Sequence, residues 1–492
     1  MLLPVDLREW VAGDDMAHLI LEAVNLVELH QFRLNERGCG SEQFPPRMML
    51  ALLIYCYSHG IFGSRRIERA THQHLSVRYL AGNTHPDHDT ICKFRRENFE
   101  AIADCFLRVL ELAKELGLLR LGTVSIDGTR LRASASKHRN ITYARAGELI
   151  ALLKADIAAL LAQAESADVE PAAKETLPAE LARREKLQAR LEAARAAIEE
   201  RARQKAQSEQ ADYEAKVKAR AGREGIRRGV APKPPNPEPA PRAQINLTDA
   251  DSRLMRKSSN EAFEQSYNAQ AAVCAEGSQL IVGARVSQSA ADHGELEPTL
   301  WAIPAAVGVP ARVLVDSGYI NSAAIGRVSE SGVEVYCAIA AEATLARRRY
   351  DFRPRDGRRE NPVEPKDPRL VAMKEKLATE EGRAIYARRQ TSVEPVFGII
   401  KQALGFRQFM LRGARKVSGE WQLVTLAYNC KRLCRLRREK PVAGPSRSPS
   451  LRRIRNSQRP LRPRMRHRAR RRQPFSAVAL PHSTRLVSPT DS

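Results

Sequence analysis

Three carboxylates in this chain stand where oxygen chemistry with a hard cation is possible. Asp316 closes the run 311–318, Ala-Arg-Val-Leu-Val-Asp-Ser-Gly, and Asp127 closes Val124-Ser125-Ile126-Asp127-Gly128. In the first, Val313, Leu314 and Val315 form a continuous apolar run that reads as a short strand buried on both faces, and the second has the same grammar of β-branched residues, then Asp, then Gly. Ligand crevices of open α/β sheets lie beyond the carboxyl ends of the strands, so both aspartates are expected at one rim. Taken singly, each also reads as an ordinary turn, because turns require Asp and Gly. The third carboxylate is Glu394, in Val393-Glu394-Pro395-Val396-Phe397-Gly398-Ile399-Ile400-Lys401. Ser392 serves as an N-cap and Pro395 falls in the first turn, where its missing N–H costs nothing. Val393, Val396, Phe397, Ile400 and Leu404 keep a helical spacing, which places Glu394 and Lys401 on nearly the same face two turns apart.

The elements that must position these groups carry a broader pattern. Asp127, Asp316 and Glu394 with their flanks resemble the catalytic triad of the DDE transposases of bacterial insertion sequences. Tyr386, Arg389, Glu394 and Lys401 resemble the YREK signature of that group. Six residues separate Glu394 from Lys401, as in the signature, whereas four rather than three separate Arg389 from Glu394. Further likenesses are Pro86-Asp87-His88-Asp89-Thr90 with Phe94-Arg95, then Thr248-Asp249-Ala250-Asp251-Ser252-Arg253, and Tyr267-Asn268-Ala269-Gln270-Ala271-Ala272-Val273. These blocks span roughly residues 40–435, and their order is more specific than any one motif. The resemblance implies an RNase H-like mixed-sheet α/β core, an all-helical DNA-binding domain before it, and Tyr386, Arg389 and Lys401 against phosphates or flipped bases.

Composition agrees with a polyanionic partner. The 492 residues carry a formal charge of +24 and a sequence pI of about 10.0, which favours nucleic acid first and an acidic membrane surface second. No apolar run reaches about eighteen residues and the N-terminus lacks a secretory pattern, so a cytoplasmic, nucleoid-associated protein is expected. The eight cysteines form no Cys-x-x-Cys pair and read as reduced thiols. His72, His74, His85 and His88 have no cysteine at zinc-ligand spacing and read as surface or capping residues.

The chain divides by pattern into six parts. Residues 1–118 form a helical region: Pro45-Pro46 open an apolar helix, Ser64 caps a second and Asp89 a third. Arg65, Arg66, Arg69, Lys93, Arg95 and Arg96 cluster at helix starts, as in a helix-turn-helix reader or a plain bundle with a basic face. Residues 119–142 begin the core; after Asp127, 129–133 read as a second short strand, and Lys137, His138 and Arg139 follow as phosphate contacts. Residues 143–222 are rich in Ala, Glu, Lys, Arg and Leu and predict an antiparallel helical hairpin broken near Pro171 and Pro178, serving dimer contact or DNA clamping, or neither. A Pro-rich linker, 223–243, leads to the second part of the core, 244–438. There the pattern predicts antiparallel strands at 267–273 and 280–287, a helix at 295–307, a helix at 321–329, a strand at 333–339 and an exposed Arg/Pro-rich loop at 347–368. The tail 439–492 is basic, with 13 arginines against one aspartate beyond residue 440, and reads as disordered.

The triad implies two Mg²⁺ ions, replaceable by Mn²⁺, held by Asp127, Asp316 and Glu394. The expected reaction is nicking of double-stranded DNA at terminal inverted repeats, then strand transfer into target DNA by a homo-oligomer without membrane attachment. A metal-dependent nuclease that does not join strands, and a decayed transposase that still binds DNA, are the competing readings.

Overall fold

The computed structural model describes residues 6–35, 42–165, 171–222, 230–256, 260–339, 365 and 367–439. The expected loop at 347–368 lies almost wholly outside the described residues, as does the basic tail.

Among the described residues, six helices come first: α1 (Met16–Asn25), α2 (Pro46–Ser58), α3 (Ser64–Gln73), α4 (Leu75–Leu80), α5 (His88–Glu97) and α6 (Phe99–Glu115). Pro46 sits in the first turn of α2, where no N–H is needed, and every residue from Met49 to Ser58 is buried. The cap of α5 is Asp87 rather than Asp89: its Oδ1 accepts from the backbone N–H groups of Asp89 and Thr90, each at 2.9 Å. Ser64 likewise lies inside α3, behind an N-cap at Gly63.

A mixed sheet follows, built from β1 (Thr123–Arg132), β4 (Arg253–Met255), β5 (Glu264–Cys274), β6 (Ile281–Ser287), β7 (Arg312–Val315) and β8 (Glu334–Cys337). Its order is β6-β5-β1-β7-β8, with β4 pairing the other end of β5. The β1–β5, β5–β6 and β4–β5 pairs are antiparallel, and β1–β7 and β7–β8 are parallel. The expected hairpin of 267–273 and 280–287 is therefore present as β5 and β6.

Further sequence expectations change. β1 does not stop at Asp127 and restart at Thr129; it runs unbroken to Arg132, because β5 pairs with it continuously from Val124 to Arg132. The helix expected at 295–307 is only α9 (Leu296–Leu300), after which the chain turns before Pro304. Ser392 does not cap the Glu394 helix, which starts earlier as α12 (Glu380–Gly398), capped by Thr379 accepting from the Gly382 N–H. Between β7 and α12 lie α10 (Ser322–Glu330) and α11 (Pro368–Ala378). Pro395 thus sits inside α12 and leaves the Thr391 carbonyl without its helical donor. The Gln279 amide from the β5–β6 turn donates to that carbonyl at 2.8 Å, and the hydroxyl of Ser392 donates to the carbonyls of Arg388 and Arg389.

The hairpin expected at 143–222 is α7 (Tyr143–Glu165) against α8 (Pro171–Ala221), and Pro178 lies inside α8 rather than breaking it. Its base is a two-stranded ladder of β2 (Asn140–Thr142) and β3 (Gln244–Asn246), and it has its own apolar core of Ile141, Ala146, Ile150, Leu191, Ala194, Ile198 and Ile245.

The last helix, α13 (Ala414–Glu439), runs between the helical region and the sheet. Gly419 meets the ring of Phe99 so closely that an added Cβ would lie 2.0 Å from it, so no side chain fits there. Asn429 brackets Ile281 of β6, accepting from its N–H at 2.9 Å and donating to its carbonyl at 2.7 Å. The Trp421 indole donates to the Gln270 carbonyl of β5 at 2.9 Å. Glu420 is fully buried and accepts from Tyr57 at 3.2 Å and from the N–H groups of Met410 and Leu411 at 2.9 Å each. Arg95, 3% exposed, donates to the Tyr57 hydroxyl at 2.7 Å and the Phe62 carbonyl at 2.8 Å.

Removing one charge from this buried set strands the other. Glu420→Ala is expected to lower stability by about 3–5 kcal/mol in urea titration, and Arg95→Met is expected to cost less in the Glu420→Ala background than in wild type. Additive losses would show that the two residues are not coupled.

Candidate active site

The parallel pair β1–β7 aligns Ser125 with Leu314; β7 ends one residue later, at Val315, while β1 continues. Extending the register by two residues puts Asp127 beside Asp316. Asp316 caps the short 3₁₀ turn Ser317–Tyr319, accepting from the Gly318 N–H at 2.8 Å, and Asp127 accepts from the Gly128 N–H at 2.8 Å. Both carboxylates are therefore oriented by the backbone that follows them.

Glu394 comes from α12, which packs on β1, β5 and β7. Its link to the aspartates is Arg389, one turn earlier on the same helix. One guanidinium nitrogen lies 3.8 Å from Asp127 Oδ2 and the other donates to Glu394 Oε1 at 3.3 Å. The Arg389 side chain is 12% exposed, Glu394 is 51% exposed, and Arg389 Nε has no hydrogen-bond partner among the described residues. Burial first, and then repulsion from Asp316, push the Asp127 carboxyl up from 3.8 to about 7, although the Gly128 N–H and Arg389 oppose the shift. A carboxyl in that state is short of positive charge.

The donor chemistry fits a hard divalent cation: ionisable oxygens from two strands and a helix, and an electrostatic deficit at Asp127. Among the described residues, no group of three or more His, Cys, Asp or Glu side chains is placed, as it stands, to hold one metal ion. The Arg389 guanidinium supplies the local positive charge instead.

Asp292, which the sequence pattern did not single out, joins this site. Its Oδ1 accepts from Asn268 Nδ2 and Gln270 Nε2, each at 2.8 Å, and the Tyr319 hydroxyl donates to Gln270 Oε1. Gly128 faces this group: a Cβ there would lie 2.2 Å from Gln270 Nε2 and 2.7 Å from Asp292 Oδ1. The available signal was the spacing of Asn268 and Gln270, two residues apart in a strand and so on one face.

The other expected contacts divide. Arg65, Arg66 and Arg69 on α3, Lys93 and Arg96 on α5, and Lys137 and Arg139 after β1 are exposed or half-buried at the surface. Arg95 is not a surface cation, because its guanidinium is used inside the helical region. Tyr386 is buried, and its hydroxyl donates at 3.2 Å to the carbonyl of Val315, directly before Asp316. Lys401 is half-buried in the π-turn Ile399–Ala403, so the straight helical spacing from Glu394 is interrupted. His72 and His85 stack with ring centroids 3.8 Å apart, and His88 pairs with Glu68 at 3.0 Å. The described cysteines are free thiols, and no described helix is long and apolar enough to cross a membrane.

The fold is a mixed α/β one in a chain of formal charge +24, with acidic side chains from the ends of two parallel strands near one another and Glu394 of a neighbouring helix tied to Asp127 through Arg389. Residues 241–430 match the family described as Transposase DDE domain, and residues 5–97 match Transposase domain (DUF772); together they cover more than half of the chain. The chain belongs to the insertion-sequence DDE transposases and is a DNA transposase, of a family whose members cleave and join DNA in a divalent-metal-dependent reaction. Asp316 and Glu394 fall inside the DDE match, and Asp127 precedes it. Comparison with curated proteins and with solved structures finds no match.

The raised Asp127 carboxyl has a definite sign in stability. The metal-free native state binds this proton more tightly than the unfolded chain, so this component is present below about pH 4 and is lost as pH rises through about 7. Asp127→Asn lacks that loss. In chelator, its melting temperature relative to wild type is expected to rise between pH 5 and pH 8; a constant difference would refute the assignment.

Proposed function

We propose that Asp127, Asp316 and Glu394 form the catalytic triad of this transposase, on an RNase H-like core. The observation that carries this reading is the β1–β7 register, which sets Asp127 beside Asp316, together with the Arg389 guanidinium reaching both Asp127 and Glu394. The strand order β6-β5-β1-β7-β8, with β5 antiparallel to both neighbours, supports the RNase H-like assignment.

The three carboxylates would hold two Mg²⁺ ions, with Mn²⁺ as a substitute. Such ions polarise a scissile phosphate and lower the pKa of an attacking water or 3′-hydroxyl. Asp127 and Asp316 would be fixed ligands, because the backbone N–H groups after each already orient them. Glu394 would be the adjustable one, exposed on its helix and tied through Arg389. Arg389 would leave the carboxylates for a DNA phosphate as cations enter, and Lys401 would contact the strand nearby. Tyr386 would act from beneath, holding the end of β7 through the Val315 carbonyl. The surface arginines and lysines of α3 and α5, with Lys137 and Arg139, would grip duplex phosphates at the terminal repeats. A homo-oligomer would bring two element ends together at the nucleoid.

On supercoiled DNA carrying the flanking inverted repeats with Mg²⁺, wild type is expected to nick the ends and join them to target. Asp127→Ala, Asp316→Ala and Glu394→Ala should each lower both steps by at least about 10³-fold while leaving DNA binding in place. Cleavage of these substrates without joined product, pre-nicked ends included, would instead identify a nuclease. Undiminished turnover by any of the three variants would remove that residue from the triad.

Neutralising Arg65, Arg66 and Arg69 together should weaken duplex binding across sequences and make the log–log salt slope shallower by about 0.9 for each phosphate left without its cation. Fluorescence anisotropy between low and moderate salt reads this slope, and an unchanged value would place the DNA elsewhere.

A further inference from the structure

We infer that Asp292 is a fourth carboxylate of the cation-binding cluster, held ready by Asn268 and Gln270. The inference rests on the catalytic reading above and adds a residue to it.

The geometry separates Asp292 from an ordinary surface acid. Both amide donors converge on one oxygen, Oδ1, each at 2.8 Å. Those amides are themselves fixed: Asn268 and Gln270 are buried, opposite Arg130 and Gly128 of β1, and Gln270 accepts from the buried Tyr319 hydroxyl. Asp292 lies next to both strand aspartates. A Cβ on Gly318 would fall 3.0 Å from Asp316 Oδ1 and 3.8 Å from Asp292 Oδ2, so both carboxylates border the same glycine. On the other side, Gly128, directly after Asp127, has Asp292 Oδ1 over its Cα. Glycine at these two positions keeps the space between the three aspartates clear.

This arrangement has an electrostatic cost unless a cation enters. Two amides locate one oxygen of Asp292, and no cationic side chain pairs with this carboxylate among the described salt bridges. Arg389 faces Asp127 and Glu394 instead. A third negative charge in this space raises the local attraction for a divalent ion whether Asp292 coordinates it directly or through water. β1, the end of β7 and the turn segment after β6 would thus contribute one carboxylate each, and the helix would add Glu394 to complete the site.

Asp292→Asn is the informative variant, since it removes the charge but keeps an oxygen for Asn268 and Gln270. Full-length wild type, Asp292→Asn and Asp316→Asn are titrated with Mn²⁺ without DNA, and affinity is read by calorimetry and by the Mn²⁺-dependent rise in melting temperature. The expected result is an Mn²⁺ affinity at least about tenfold lower for Asp292→Asn, with a melting temperature in chelator close to wild type. A folded Asp292→Asn with wild-type Mn²⁺ affinity, while Asp316→Asn loses its affinity, overturns the inference and leaves the triad standing. Wild-type affinity in both variants overturns the triad as well. A lower melting temperature in chelator with unchanged Mn²⁺ affinity makes Asp292 only an acceptor for its two amides, and also overturns the inference. Should Asp292→Asn fail to fold, Asp292→Glu is read in its place, with weakened affinity expected and the wild-type value refuting.

Discussion

The buried carboxylate of Glu420 is the constraint on which the two halves of this molecule close. It has no access to solvent, and burial raises its proton affinity even with Arg95 nearby. It is satisfied only by groups from separate parts of the chain: Tyr57 from the helical region and the N–H groups of Met410 and Leu411 before α13. A buried anion tolerates little misplacement of its donors. Once Glu420 is in place, the rest of α13 is set in rotation and height. Trp421 then meets β5, Asn429 meets β6 and Gly419 passes under Phe99. The same apolar core runs from α1 through the sheet to α13, so the helical region and the catalytic sheet are parts of one packed body.

That rigidity matters because the site itself is electrostatically unfavourable. Asp127 and Asp316 repel each other in a partly buried place, and the energy needed to keep them together comes from the sheet rather than from the site. β1 is fixed along its length by β5, and β7 is held between β1 and β8. Arg389 offsets part of the repulsion, and its Nε lacks a partner among the described residues.

Much of this was readable from sequence where the signal is local. Asp316 follows a continuous apolar run that reads as a buried strand and is one, and Val393, Val396, Phe397 and Ile400 carry a helical period that the structure buries. The hairpin of 143–222 announced itself by composition. What was misread depended on partners far away in the chain. Asp127-Gly128 looks like a turn by itself, and only the unbroken ladder with β5 keeps it inside a strand. Ser392 and Pro395 look like a helix start, yet the broken hydrogen bond is repaired by Gln279, more than a hundred residues earlier. Arg95 belongs by composition with the surface cations, and only Tyr57 and Phe62 reveal it as internal. Asp292 gave no local hint because the two amides that define it belong to another element.

The β2–β3 ladder closes the base of the α7–α8 hairpin with three residue pairs, so the chain leaves and re-enters the main body at adjacent points. Beneath the hairpin's outer part lies an apolar cluster separate from the main core. Material added or trimmed at the far end of this arm changes neither the spacing of its two roots nor the catalytic sheet behind them. The arm is consequently a permissive graft point, where evolution or an engineer can vary length, or splice in a foreign module, while the machinery at its foot keeps its shape.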